Sequence, residues 1–207
     1  MTYKKRVIGY IDGLNVYGGL KNPPYRKYLW LDLPRLIDLF LGNNEELAVV
    51  KYFYSPMLGN IAKEERQSVY LDALSSDPRI ELFPGKFKVH DLECRSCGHI
   101  RPDRREKETD TGMASEIVKD AFIGAYDIAV ILSGDTDFVP PARIVRNHHA
   151  DKEVYLLKPF NCGPCDDLKA QSTKFSKIGQ RHLSKCQFNE EVISSEGFAI
   201  QRPKSFK

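Results

Sequence analysis

The stretch Asp127-Ile-Ala-Val-Ile-Leu-Ser-Gly-Asp-Thr-Asp-Phe138 decides the architecture of this chain. Asp127 to Leu132 is an apolar run, too short for a helix and without the alternation of a half-exposed strand. Such a run reads as a strand buried on both faces, the signature of a parallel sheet. It breaks at Ser133-Gly134-Asp135, a turn sequence that carries an acid. The same pattern stands near the start: Arg6-Val-Ile-Gly-Tyr-Ile11 runs into Asp12-Gly13-Leu14-Asn15.

Working outward, Leu47–Ser55 and Glu153–Leu157 read as further strands, and Arg79–Val89 as another, interrupted at Pro84-Gly85. Helical spacing of apolar residues covers Leu31–Leu41, Ile61–Leu74, Thr111–Gly124 and Phe138–Asn147, with a short helix at Asp166–Gln171. Strands alternating with helices predict parallel βαβ units in a three-layer α/β/α sandwich, around a mostly parallel sheet of about five strands. His90–Lys107 has no period and reads as an insertion. Residues 5–180 are expected to form the domain, with 181–207 as a tail or extension.

The chain has 207 residues, 42% hydrophobic and 29% charged, with 14 Gly and 12 Pro. That excludes a collagen-like or wholly disordered chain, and the length suffices to bury a core without disulfides. No apolar run approaches the ~20 residues that cross a bilayer. The charged start, Met1–Arg6, is followed only by Val7–Ile11, so neither a signal peptide nor a membrane anchor is expected and the cytoplasm is the expected compartment. A homodimer is compatible with the sequence.

In a doubly wound sheet, chemistry collects at the carboxyl ends of the strands. Asp12 follows strand one, Asp135 and Asp137 follow strand four, Asp110 opens the helix after the insertion, and Glu116 lies almost two turns further on. Singly, each has a structural reading: a turn, a helix N-cap, an Asx-turn. Together on one rim, these carboxylates repel unless a divalent cation neutralises them. Oxygen ligands suit Mg²⁺, which binds phosphate and activates water.

Ile11-Asp12-Gly13-Leu14-Asn15, Lys107-Glu108-Thr109-Asp110 before a helix, and Leu132-Ser133-Gly134-Asp135-Thr136-Asp137-Phe138-Val139-Pro140 together resemble the NYN domain, and within it the LabA-like branch of the PIN-like nuclease superfamily. The resemblance implies a PIN-like fold, an acidic Mg²⁺ or Mn²⁺ site and RNA cleavage by a metal-activated water. It makes Asp12, Asp110, Asp135 and Asp137 metal ligands, and has Asn15 hydrogen-bond a metal water or phosphate. Glu116 falls where relatives carry Asp, a departure in length. Ser133 reads as a rim or phosphate contact rather than a nucleophile, since no His/Asp partner is arranged for it.

Four of five cysteines form two CxxC pairs, Cys94/Cys97 and Cys162/Cys165, which in a reducing compartment read as metal ligands before disulfides. A shared four-thiolate Zn²⁺ would span 64 intervening residues; His90 and His99 are local alternatives. Net charge is +3, yet Leu168–Asn189 holds Lys169, Lys174, Lys177, Arg181 and Lys185 with no acid. That strip is expected to contact phosphates, and Tyr17, Tyr25, Tyr28 and Trp30 to stack unpaired bases. The expected function is therefore a metal-dependent ribonuclease on single-stranded or structured RNA. Its rivals are a non-catalytic RNA-binding module and a DNA nuclease or other phosphoesterase on the same site.

Overall fold

The structure is a computed structural model that describes residues 3–93 and 96–206, with the backbone course alone at 87–93 and 101–107. In chain order the main elements are β1 (Lys5–Asp12), α1 (Gly13–Leu20), α2 (Leu33–Asp38), β2 (Glu45–Tyr54), α3 (Ile61–Leu74), β3 (Ile80–Pro84), β4 (Lys86–Glu93) and β5 (Ile100–Lys107). Then follow α4 (Thr109–Phe122), β6 (Ile128–Leu132), α5 (Val139–His148), β7 (Glu153–Lys158), α6 (Asp166–Ala170), β8 (Lys174–Lys177), α7 (Gln180–Lys185), β9 (Glu191–Ile193) and β10 (Ala199–Gln201).

Six strands form the central sheet in the order β3-β2-β1-β6-β7-β8, and every neighbouring pair is parallel. The sixth, β8, was not expected; its Lys-Phe-Ser-Lys carries one apolar residue and gives no run to read. β1 and β6 lie at the centre, and every residue of β6 is buried. Alternate residues of β1 serve opposite layers, as the pleat dictates. Val7 and Ile11 pack with Trp30, Leu36 and Leu74 on the α1–α3 side. Ile8 and Tyr10 pack with Met113, Ile117 and Val145 under α4 and α5.

Several elements start where a side chain can take the orphan amides of a first turn. Asp12 accepts from the Asn15 N–H, Asp32 from Arg35 and Asn60 from Lys63. Gly124, at φ +68°, lets the chain turn after α4.

The segment read as an insertion without period takes the form of an antiparallel hairpin, β4 on β5, beginning at Lys86. The chain breaks from β3 at Gly85 rather than running on to Val89. Residues after Gln187 are not a loose tail either. Leu31 bridges Gln187, the Trp30 indole N–H donates to the Asn189 carbonyl at 2.8 Å, and Phe188 and Phe206 pack on the Trp30 ring. Trp30 has no exposed surface, so it is a core residue and not a stacking platform for bases. No helix among the described residues is long and apolar enough to cross a membrane.

One ion cluster ties α4 to the sheet. Lys51 of β2 is 7% exposed, and its ammonium donates to Asp120 and to Glu116, both at 2.6 Å. The Tyr10 hydroxyl donates to the same Asp120 at 2.7 Å, and burial beside that carboxylate pushes the phenol far up. Burial alone would raise Glu116, but hydrogen bonds from Lys119 and Lys51 hold it below the usual carboxylate range. Glu116 is thus a strut of this cluster. We expect Lys51→Met to cost about 3–5 kcal/mol, since it removes the buried cation of the cluster and leaves the buried Asp120 only the half-exposed Lys119 ammonium, 3.5 Å away. Urea denaturation checks this, and adding Asp120→Asn to that variant should recover part of the loss.

Candidate active site

Asp12 ends β1 and caps α1, and only 3% of it is exposed. One carboxylate oxygen accepts from the Asn15 N–H at 2.9 Å, and the other from the Ser133 hydroxyl at 2.8 Å. Because Ile11 pairs with Leu132, the residues that follow, Asp12 and Ser133, leave the sheet side by side. Ser133 has no exposed surface, and its oxygen also accepts from the Asp135 N–H at 3.1 Å. It is therefore not a rim contact; it holds Asp12 and the Asp135 turn in place.

Asp135 caps a 3₁₀ turn, Thr136–Phe138, by accepting from the Asp137 N–H at 3.0 Å. Asn15 joins the two turns: its side-chain oxygen accepts from the Gly134 N–H at 3.2 Å and from the Cys162 thiol at 3.5 Å. A Cβ on Gly134 would come within 2.0 Å of the Cys162 sulfur, so only glycine lets these loops approach this closely.

Asp12, Asp110, Asp135, Asn15 and Cys162 line one open depression of about 350 Å³ at the carboxyl edge of the sheet. Three of the expected acids thus share it. Asp137 is exposed and does not line it, and Glu116 belongs to the Lys51 cluster. Burial pushes the Asp12 carboxyl up against the lowering hydrogen bonds from Asn15 and Ser133, and the charge of Asp135 adds to the rise. Among the described residues, no three His, Cys, Asp or Glu side chains are gathered closely enough to form a ready-made metal cage.

The cysteines do not meet either. Cys97 is exposed at the turn of the β4–β5 hairpin, which follows the edge strand β3, whereas Cys162 and Cys165 follow β7. Four strand spacings separate β3 from β7, roughly 19 Å. No four-thiolate centre is assembled among the described residues. Cys94 and the His90 side chain, on which the local alternative rests, lie outside them. Cys165 is buried in the core under α4 and α5, and burial pushes the Cys162 thiol up.

The basic strip is not one face. Lys174 begins β8, with its ammonium 4.6 Å from the Tyr155 ring and donating to the Phe40 carbonyl at 2.7 Å. Lys169 lies over Phe175 at 4.9 Å. Lys177 ends β8 on the opposite side of the pleat from Lys174, and Arg181 is exposed on α7. Lys177 pairs with Lys158, and both stand one residue beyond the Leu132–Leu157 level, the level of Asp12 and Ser133. Sequence reading passed over Lys158, although it follows an apolar strand just as Asp12 does. Of the tyrosines, Tyr25 packs on Phe160 at 4.3 Å, and Tyr28 is partly buried against the core.

A raised carboxyl binds its proton more tightly in the folded state, so Asp12 weakens the fold as pH rises from the unfolded pKa through the folded one. Asp12→Asn keeps the steric fit and removes the charge. We expect it to stabilise the protein at pH 7, with the gain fading as pH falls through the raised folded pKa and gone below about 4, where wild-type Asp12 is protonated in both states. Urea melts at both pH values check the sign.

Two known proteins are similar to this chain. A protein from Pseudomonas putida named 6-hydroxy-3-succinoylpyridine 3-monooxygenase HspA is 27% identical over 217 residues, covering 86% of this chain and 68% of that protein. A crystal structure of a Vibrio parahaemolyticus protein of unknown function superposes with a TM-score of 0.55 at 15% identity, covering 87% of this chain and 96% of that one; it shares the fold. The family model for the NYN domain matches residues 6–179, which contain every acid of the depression. The chain belongs to the NYN domain family, with a PIN-like α/β/α fold.

Proposed function

We propose that this chain is a metal-dependent nuclease that hydrolyses phosphodiester bonds in RNA. Membership of the NYN family supports a nuclease-type hydrolase. The observation that carries the reading is the convergence of Asp12, Asp110 and Asp135 on one depression at the carboxyl edge of the sheet. This donor set fits Mg²⁺ or Mn²⁺: the oxygens are hard, and an open site without a closed cage suits a cation that keeps several waters. When bound, such a cation supplies charge for a phosphate and lowers the pKa of water.

The chain's own residues do the positioning. Ser133 and the Asn15 N–H fix the Asp12 carboxylate, and Asn15 locks the Asp135 turn to α1. Lys158 and Lys177 bring positive charge to the same edge for the flanking phosphates. The Ser133 hydroxyl is committed to Asp12, which leaves attack to water. A second reading follows from the Pseudomonas relative, named a monooxygenase of a pyridine: oxygenation of a small heteroaromatic acid.

The test is single-stranded RNA and matching DNA, incubated with Mn²⁺ and with chelator. RNA should be cut only with metal, and Asp135→Asn should lower the rate on the order of 100-fold or more while the protein stays folded. Equal cutting of DNA would remove the RNA preference. Binding without cutting would make this a binding module. Oxygen uptake that depends on both a hydroxypyridine acid and an added two-electron reductant such as a reduced nicotinamide would favour the second reading.

A further inference from the structure

Across α1 from the acidic depression lies a second hollow of about 80 Å³. Its walls are aromatic: Tyr17 from α1, Tyr52 and Tyr54 from β2, and Tyr70 from α3. Tyr52 and Tyr54 are already stacked, with centroids 5.8 Å and planes 11° apart, and Tyr70 meets Tyr52 edge-on at 6.4 Å. The hollow reaches the turn that carries Asp12, for Leu14 lines both concavities. A Cβ on Gly13 would lie 2.8 Å from the Tyr52 hydroxyl, so glycine keeps this junction open.

Two polar atoms in this hollow lack partners. Ser55 follows β2, is 6% exposed, and has a fully shielded hydroxyl with no hydrogen bond. The Nε of Arg26 is likewise shielded and unpaired, and it lines the same space. Buried polar groups are as a rule hydrogen-bonded, so two unpaired ones at the wall of one hollow point to a ligand or water that pairs them. The Gln67 amide braces the wall, donating to the Ser55 carbonyl at 2.9 Å and accepting from the Met57 N–H at 2.6 Å. Lys63 and Arg66 stand with Arg26 in the lining, and among the described residues none of the three forms an ion pair with a carboxylate.

We propose that this hollow binds one flat heteroaromatic ring carrying an anionic group. The ring extends the Tyr52–Tyr54 stack, its polar edge pairs with the Ser55 hydroxyl and the Arg26 Nε once rotation of these side chains turns the shielded atoms into the hollow, and its anion meets Arg66 and Lys63. Stacking on aromatic faces contributes about 1–3 kcal/mol per base-like ring. The space admits a single ring with its substituents toward the mouth. This inference rests on neither functional reading above, because no residue of the acidic depression takes part except Leu14 at the shared wall. The same chemistry has two sources, a nucleoside monophosphate or a free aromatic acid.

Isothermal titration in chelator, which silences the acidic site, separates them. One arm uses UMP and AMP, with uridine as the neutral control. The other uses nicotinate and 6-hydroxynicotinate, with nicotinamide as control. Saturable one-to-one binding is expected in at least one arm, about tenfold or more tighter than its neutral control. The arm that binds names the source. Arg26→Met with Arg66→Met should weaken it at least about tenfold, and Ser55→Ala by roughly 3–10-fold. Ser55→Ala removes only an unpaired hydroxyl, so it keeps the test valid should the arginine pair unfold the protein. No saturable binding in either arm, or binding that both variants leave unchanged, overturns the proposal.

Discussion

The parallel pairing of β1 with β6 is the constraint on which the rest depends. Val7–Ile11 of β1 and all of β6 are buried on both faces, so neither stretch tolerates a charged side chain. Their register sets Ile11 against Leu132, and the first residues free to be polar, Asp12 and Ser133, emerge together. A hydroxyl that reaches the buried carboxylate and also the next turn then fixes both loops at once. The acidic edge is thus a by-product of strand ends in register, made usable by one serine and one asparagine.

The same sheet separates charge into two regimes. α4 carries Asp110 in its first turn, at the open depression, and Asp120 in its last, sealed against Lys51. Glu116 stands between them in sequence but sides with the lysine. Its spacing agrees: six residues turn it about 120° round the helix from Asp110, while four residues set it on the face of Asp120, where Lys51 meets both from another element.

How much of this was legible follows from where each signal resides. The central strands were readable because their apolar runs are local and uninterrupted. Asp12 and Asp135 were readable because they end such runs. The β4–β5 hairpin was not, since the sequence His90–Lys107 shows no regular alternation of apolar and polar residues. α1 escaped because Gly13-Leu-Asn-Val-Tyr-Gly-Gly-Leu20 holds three glycines, and its start is set by the Asp12 cap rather than by propensity. Ser133 was misread because the short turn sequence does not say which way the hydroxyl points. The basic strip looked continuous because β8 went unseen, and a strand sends alternate lysines to opposite faces.

Trp30 carries a consequence for biosynthesis. Its ring is closed over by Phe188 and Phe206, and its indole N–H finds a partner only 159 residues later, at Asn189. A ribosome adding about 5–20 residues per second leaves this part of the N-terminal layer unsealed for roughly 10–30 s. During that interval the largest buried side chain of the protein is open to whatever chaperone or neighbouring chain reaches it first. The last turns to be synthesised are those that end this exposure, whereas the strand ends that carry Asp12 and Asp135 are made before them.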